Sequence, residues 1–508
     1  MRIVLAGYNL DSSIIEQIRN TFDKPEALTP ETVAVAYARI SRDPSPVTEL
    51  REKSINDVES ARKSARSIIF DLNHQSVAEH ATFNFDILDI SRLCVEALQW
   101  HRLCSFTEKS QRYQELTEEF VLPEEFKGED RSLFEKCLKK QNEAYSLAFP
   151  VLLDYFRQKH PEMLSSKQDL MVVEGYAKED ARYAMGLAAR AQLGFTANAR
   201  NLEYIIRTLR AHPLREMQEL GEEFYRLAGA IAPSLILLTD PVEYEKEFGR
   251  PLNEDFFTRT HSFTREIIGE LSEEFTKDRA AASSQYPARG NIKLIETSSD
   301  PDRSLLMAIL LSHTSEPAES CAELADHLLS DRSKAEKLIK GFLTHSNPWE
   351  AVTREFETVS FTYEIVISAA CFGQMKRHRM TTQLVQPYDP ELGYIYPSSV
   401  LDAGLKDTFE RLYEETSETF YKLKEVHPHA AQYVLTNGHQ RRMLMKVDAR
   451  ELYHISRLRE DIHAQWDIRQ ISSDMLALAR EKAPLTLLLA YGKDVFEKKK
   501  KEFLSDAL

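Results

Sequence analysis

The sequence predicts an α+β protein in which one domain is written twice. The first observation is a repeated string: residues 101–113 run His-Arg-Leu-Cys-Ser-Phe-Thr-Glu-Lys-Ser-Gln-Arg-Tyr, and 377–379 return to Arg-His-Arg. Each lies downstream of a His-x-x-x-x-Glu segment (His74 to Glu79, His345 to Glu350) and upstream of an Ala-Arg pair (Ala199-Arg200, Ala449-Arg450). Three landmarks in one order are hard to obtain by chance. The second observation is composition. Only 16 glycines in 508 residues, with long stretches of helical period, describe a helix-rich chain with small sheets. Each copy is expected to be a small antiparallel sheet plus a helical bundle, which makes one chain a pseudo-dimer.

Taken in order, strand alternation is read at 2–6, 82–87, 293–296 and 355–365. The first copy spans 1–243, a helical linker region 244–291, and the second copy 292–508. Within the linker an acidic amphipathic helix at 264–275 precedes a turn-rich Ala-Ala-Ala-Ser-Ser-Gln-Tyr-Pro-Ala-Arg-Gly-Asn tract. Residues 448–479 predict one long helix with Leu452, Ile455, Leu458, Ile462 and Trp466 along a stripe. Arg450, Arg459 and His463 fall on its adjoining faces. Helices carrying the Ala-Arg pairs are expected to open at 199 and 449. The run Lys498–Lys501 reads as a solvated helix end.

Bulk properties narrow the function. The length holds two to four ordinary domains, and 43% hydrophobic with 29% charged residues describes a soluble globular chain. A net charge of −15 argues against a sequence-independent nucleic-acid binder, yet leaves room for a local cluster of arginines around a small anion. The opening MRIVLAGYNL lacks the lead-in of a signal peptide, and no apolar run reaches the ~18–20 residues of a membrane span. Five scattered cysteines without a Cys-x-x-Cys pair suggest neither a disulfide framework nor a zinc site, and point to the reducing cytoplasm.

The polar motifs suggest an anion site. Glu108, Ser110 and Arg112 alternate, so an extended segment would present a carboxylate, a hydroxyl and a guanidinium on one side. An ordinary surface loop would carry the same residues. His101-Arg102 and Arg377-His378-Arg379 place adjacent cations at a helix end, where an anionic partner relieves their repulsion; a surface cluster is the plainer reading. His74 and His345 lack a third ligand at suitable spacing, so no metal is expected and a capping or hydrogen-bonding role is assigned to them.

Together these segments resemble the flavin-dependent thymidylate synthases. The resemblance rests on His74-Gln-Ser-Val-Ala-Glu79-His80, Phe83-Asn-Phe85 and His101-Arg-x-x-Ser105-x-x-Glu108-x-Ser110-x-Arg112-Tyr113. It continues in Asn198-Ala-Arg200-Asn-Leu, and in Asp448-Ala-Arg450-Glu-Leu with Arg459 and His463-Ala-Gln-Trp466. It covers nearly the whole chain outside the linker. The resemblance implies a flavoenzyme that methylates dUMP to dTMP, with FAD as cofactor and NADPH and methylenetetrahydrofolate as co-substrates. Assembly is implied to be a homodimer forming a pseudo-tetramer, with no nucleic acid or membrane as partner.

The resemblance also implies residue roles. Arg459 would polarise the uracil ring. Gln374, Arg377, Glu108, Ser110, Gln111, Arg112 and Arg182 would bind dUMP. Arg377, His378, Arg379, Glu108, Ser76, Asn198, Arg200, Arg450, His454 and His463 would hold the flavin. Each copy departs from the pattern in a different place. The second has Val385, Pro387, Asp389 and Gln432 where the loop and phosphate arginine belong. The first has Ala97 and Trp100 in place of Gln and Arg, Arg210 displaced by one position, and Pro213 opposite His463. Complementary losses imply a composite site, built from the first-copy loop and the second-copy Arg-His-Arg segment, with the opposite pairing vestigial. Asp448 replaces the family's usual asparagine, and Lys376 departs near the ring. A related flavin-dependent reaction on another pyrimidine nucleotide, or a non-catalytic flavin- or nucleotide-binding homologue, fits the same residues.

Overall fold

A computed structural model of the chain describes residues 12–40, 43–71, 74–112, 119–237, 239–252, 267–269, 271–272 and 292–505. The strand read at 2–6, Tyr113 and most of the linker, including 264–266, 270 and 273–275 of the helix read at 264–275, lie outside the described residues; 267–269 and 271–272 are helical.

In chain order the elements that matter for the site are β1 (Thr82–Ser91), α1 (Arg92–Gln99), β2 (Ser105–Glu108), α2 (Gly128–Lys159), α3 (Lys167–Ala181), β3 (Arg190–Asn198) and α4 (Ala199–Arg210). After the linker come β4 (Ile292–Thr297), β5 (Ser360–Ser368), α5 (Ala369–Met375), β6 (Thr382–Val385), α6 (Lys406–Lys424), β7 (Gln440–Asp448), α7 (Ala449–Arg459), α8 (Trp466–Lys482) and α9 (Lys493–Ser505).

The two halves repeat one plan down to the register. Their sheets are antiparallel with orders β1-β3-β2 and β4-β5-β7-β6, so β5-β7-β6 repeats the first and β4 adds an edge strand. Thr82 pairs with Asn198 and Ser105 with Thr196; in the second half Ser360 pairs with Asp448 and Thr382 with Lys446. The helix starts match too. Ser91 accepts from Cys94 N to cap α1, and Ser368 accepts from Cys371 N to cap α5. Asn198 and Asp448 cap α4 and α7 in the same way, each accepting from the amide three residues on.

The compact units cut across the two copies. One unit comprises Met1–Lys109, Glu119–Gly128 and Ala188–Gln285; the other comprises Ser110–Glu118, Glu129–Leu187 and Tyr286–Leu508. The first unit has an aromatic core in which Phe195 packs on Phe85, Phe106 and Phe224. The second unit combines the second-copy sheet with α2, α3 and residues 182–187 of the first copy. Its sheet is buried under α7 and α8 through Tyr363, Ile365, Met445, Leu452, Ile455, Ile468 and Met475. Gln141 on α2 donates to Val434 O at 2.6 Å, Leu187 N to Leu435 O at 2.8 Å, and Tyr183 OH to Asp467 Oδ2 at 3.2 Å. Buried polar groups like these are worth keeping only where each finds a partner.

Two sequence expectations change. The helix read across 448–479 is two helices, α7 and α8, with residues 460–465 between them. Gln465 caps α8 by accepting from Asp467 N and Ile468 N, and Asp461 turns back on His463 N. Leu458 and Ile462 of the expected stripe are therefore exposed. The strand read from 355 begins only at Ser360, because Arg354–Thr358 forms a 3₁₀ turn. All five cysteines are buried free thiols. Among the described residues no helix is long and apolar enough to cross a membrane.

Candidate active site

The site is built at the C-terminal end of α5. Ser368 fixes where α5 starts, and seven residues later the chain leaves the helix at Lys376, so Arg377, His378 and Arg379 fall on the exit turn. His378 is buried while Arg377 and Arg379 are exposed on either side of it. Gln374, in the last turn, is buried; its Nε2 donates to Gln465 Oε1 at 3.3 Å. Its Oε1 is a buried acceptor with no hydrogen-bond partner among the described residues.

Arg459 comes to this turn from the end of α7. Its Nε donates to His378 Nε2 at 2.9 Å and its Nη2 to Gln374 O at 3.3 Å. Burial, with the like charges of Arg377 and Arg112, draws its pKa down to about 10 against the pull of the Cys371 thiol; the group stays cationic at neutral pH. Glu451, in the first turn of α7, faces the other nitrogen of His378 at 3.1 Å. Burial and the neighbouring Arg459 and His454 hold His378 well below the ordinary histidine range, so it is neutral and its contact with Glu451 is a hydrogen bond rather than an ion pair. His454 meets the His378 ring edge-on, with centroids 5.7 Å apart.

The first-copy loop joins the same compact unit. Arg112 Nη2 donates to His463 O at 3.2 Å, and its Nε is bound by the Glu179 carboxylate. Ser110 Oγ accepts from Arg112 N at 3.2 Å, and Gln111 Oε1 accepts from Asn437 Nδ2 at 3.4 Å. Arg182, buried at the exit of α3, is fixed through its carbonyl, which accepts from Asn437 Nδ2 at 2.9 Å. Behind it stand two buried acids. Burial pushes Asp180 up to about 7 and Asp467 up to about 6, against stabilising hydrogen bonds from Ser399 and from Ser368 and Tyr183.

The extended geometry read for residues 108–112 stops early. β2 ends at Glu108, and Gln111 and Arg112 form a turn. The Glu108 carboxylate lies inside the first unit, taking Arg92 Nη1 at 2.7 Å and Gln99 Nε2 at 3.2 Å. Also in the first unit, Asn198 caps α4, Arg200 reaches Glu79 at 2.5 Å, and Ser76 is exposed on the same 3₁₀ turn as Glu79. In the second unit Arg450 donates to Val352 O and to Glu357, both from the segment preceding β5.

The altered positions serve local structure. Asp389 caps a 3₁₀ turn by accepting from Glu391 N, and Gln432 accepts from Tyr388 N. Arg210 is held by Glu222 and Thr239 O over the ring of Tyr225. His74 stands at the start of a 3₁₀ turn without a side-chain cap, so the capping role assigned to it is not made. His378, Glu451 and His454 have ligand-type atoms within 4.8 Å of one another. Both ring nitrogens of His378 are already engaged, and Arg379 and Arg450 bear on Glu451, which makes this a hydrogen-bonded cluster in a cationic setting.

Sequence reasoning missed Glu451, Glu179, Gln465 and Asp467. Glu179 carried a signal, since it lies one turn before Arg182 at the end of α3. The others act across the fold and leave no local pattern.

The comparisons with known proteins agree with this architecture. The family model described as "Thymidylate synthase complementing protein" matches residues 26–234 and again 293–485. The chain belongs to this family. Two matches in one chain fit a tandem duplication. A "UPF0159 protein" of Chlamydia pneumoniae is 22% identical over 435 residues, covering 83% of this chain and 78% of that protein. The "Flavin-dependent thymidylate synthase" of Geobacter sulfurreducens is 30% identical over 213 residues, 42% of this chain and 80% of its own length. That of Pyrococcus abyssi is 36% identical over 141 residues, 27% and 49% respectively. Among solved structures, a "UMP/dUMP methylase PolB from Streptomyces cacaoi bound with 5-Br dUMP" is 18% identical with a TM-score of 0.32, covering 41% of this chain and 97% of that one. A likeness at that level does not bear on the activity.

Proposed function

We propose that this chain is a flavin-dependent enzyme that methylates dUMP to dTMP, with methylenetetrahydrofolate and NADPH as co-substrates, at a site composed from both copies. The observation that carries the reading is the meeting of Arg112 with His463 O in one compact unit that also holds Arg182, Gln374, Arg377 and Arg459. Ser110, Arg112 and Arg182 supply the donors a phosphate monoester requires, and Glu179 keeps Arg112 oriented. Arg459 and the unpartnered Gln374 Oε1 offer a donor beside an acceptor, which matches the alternating carbonyl and N–H edge of a uracil. A desolvated guanidinium there stabilises negative charge as it builds on the ring.

The residues present fit a flavin. Arg377 and Arg379 are exposed on either side of the buried His378, and the exposed His454 lies beside its ring, so Arg377, Arg379 and His454 form a donor set suited to an anionic dinucleotide. Bound there, the flavin would supply the redox chemistry. Arg377, Arg379, His454, His463 and Arg450 would hold it, arranged about His378, whose ring nitrogens are engaged by Arg459 and Glu451. The chain is proposed to act in the cytoplasm as a homodimer with two competent sites, the sequence copies being 1–243 and 292–508 about the linker 244–291.

The test is product formation by the purified protein. Oxidation of NADPH with dTMP appearing only when dUMP and methylenetetrahydrofolate are both present supports the proposal. Bound flavin without dTMP under those conditions overturns it.

A further inference from the structure

We propose that Glu451 is a positioning residue: it fixes the tautomer of His378, and that tautomer aims Arg459. The inference rests on the role proposed for Arg459 above and adds a residue to it.

The donor inventory forces the assignment. An arginine Nε always carries its hydrogen, so the atom facing Arg459 Nε at 2.9 Å must accept. That atom is His378 Nε2, which therefore carries no proton. A neutral ring has one proton, and it is then on Nδ1, where the Glu451 carboxylate lies at 3.1 Å. A carboxylate can only accept, so it holds the ring in this form and disfavours the other. In the alternative tautomer Nε2–H would oppose Nε–H of Arg459, two donors at contact. The guanidinium is then fixed at two points, His378 Nε2 and Gln374 O, and rotation about its last torsion is closed off.

The first copy is an internal control in which the shape is kept and the chemistry is not. His101 occupies the position of His378, equally buried. Tyr204 meets its ring edge-on at 5.3 Å, as His454 meets His378 at 5.7 Å. Counting from the two Ala-Arg pairs, Leu209 stands where Arg459 does and Asn201 where Glu451 does. His101 Nε2 has no hydrogen-bond partner among the described residues, and Asn201 turns its amide to Asn198 instead. The copy without the arginine is also the copy without the carboxylate. A carboxylate kept merely to stabilise a buried histidine would be as useful to His101 as to His378.

The experiment uses full-length protein with ¹⁵N-labelled histidine rings, the His378 signals assigned by their loss in His378→Gln. Wild type should show the Nδ1–H tautomer. Glu451→Leu should shift it toward Nε2–H and lower kcat roughly tenfold to a hundredfold, with the KM for dUMP and the flavin content within about twofold of wild type. Glu451→Gln, which keeps the volume, should fall between, and Glu451→Asp should recover most of the rate. An Nε2–H tautomer in wild type overturns the proposal, as does a folded Glu451→Leu protein with unchanged kcat. If wild type forms no dTMP at all, the substrate assignment fails, while the tautomer measurement still decides whether Glu451 sets His378.

Discussion

Arg112, from the first copy, donates to the main-chain carbonyl of His463, from the second, at 3.2 Å. The loop that lost its counterpart in one repeat thus lies against the helix end that lost its counterpart in the other. Arg112 is also close enough to Arg459 to raise the cost of the Arg459 charge. Two cations held near each other in partial burial favour an anionic ligand between or beside them.

From this follows an asymmetric arginine scan. Arg112→Ala and Arg459→Ala should each lower kcat/KM for dUMP by at least about a hundredfold, the usual scale for removing a charge-stabilising donor. Arg210→Ala should keep most of the activity, because Arg210 is held by Glu222 and Thr239 O within the first unit. Steady-state kinetics on the three variants decides this; equal losses for Arg210 and Arg459 would reverse the assignment of the vestigial pair.

Asp180 gives a pH signature. Its folded pKa is raised to about 7 by burial, above its ordinary value of 3.8, so the folded chain holds a proton that the unfolded chain releases. The group therefore favours folding least at high pH: stability is lost as pH climbs from about 4 to about 7 and stays lost above that. Asp180→Asn removes the dependence. Its melting temperature should match wild type near pH 4 and exceed it by several degrees at pH 8, as thermal melts across that range would reveal.

Ser368 joins stability to the site. Its Oγ accepts from Cys371 N to start α5 and donates to the buried Asp467 at 2.5 Å. Ser368→Ala should cost about 1 kcal/mol for the lost cap, with more because the buried Asp467 is left with Tyr183 in place of two hydroxyl donors. Because α5 places Gln374 and Arg377, kcat/KM should also fall by an order of magnitude. Denaturant melts and kinetics on the same preparation would separate the two effects.

Glu31 is a control remote from the chemistry. Fully buried in the first unit, it accepts from Ser234 N and Oγ and pairs with Arg62 Nε at 2.8 Å. Glu31→Ala should destabilise by about 2–4 kcal/mol by stranding those donors, while the folded fraction retains its kcat.

The duplication and the class of fold were legible because they depend on local signals: the repeated strings, the helices opening at the Ala-Arg pairs, the alternation in β1 and β4. The break between α7 and α8 was not. Apolar residues at 458 and 462 continue the helical period, and the break rests on Asp461 turning back on His463 N and Gln465 capping a new start. Among site residues, those in compact motifs such as 374–379 could be named in advance. Glu451 could not, since a carboxylate beside Arg450 reads as an ordinary first-turn acid until His378 is brought to it from 73 residues away. For the same reason Glu108 read as one side of a shared loop, although Arg92 takes its carboxylate.

Gene duplication usually leaves one copy free to be discarded. Here α2 and α3 of the first copy are packed into the same compact unit as the second-copy sheet, joined there by Gln141 to Val434 and Tyr183 to Asp467. A deletion that removed either copy, or a cleavage that separated them at the linker and let them diffuse apart, would open that unit's interior. With α2 and α3 buried against the second-copy sheet, loss of either sequence copy would remove part of one hydrophobic interior rather than a separate domain.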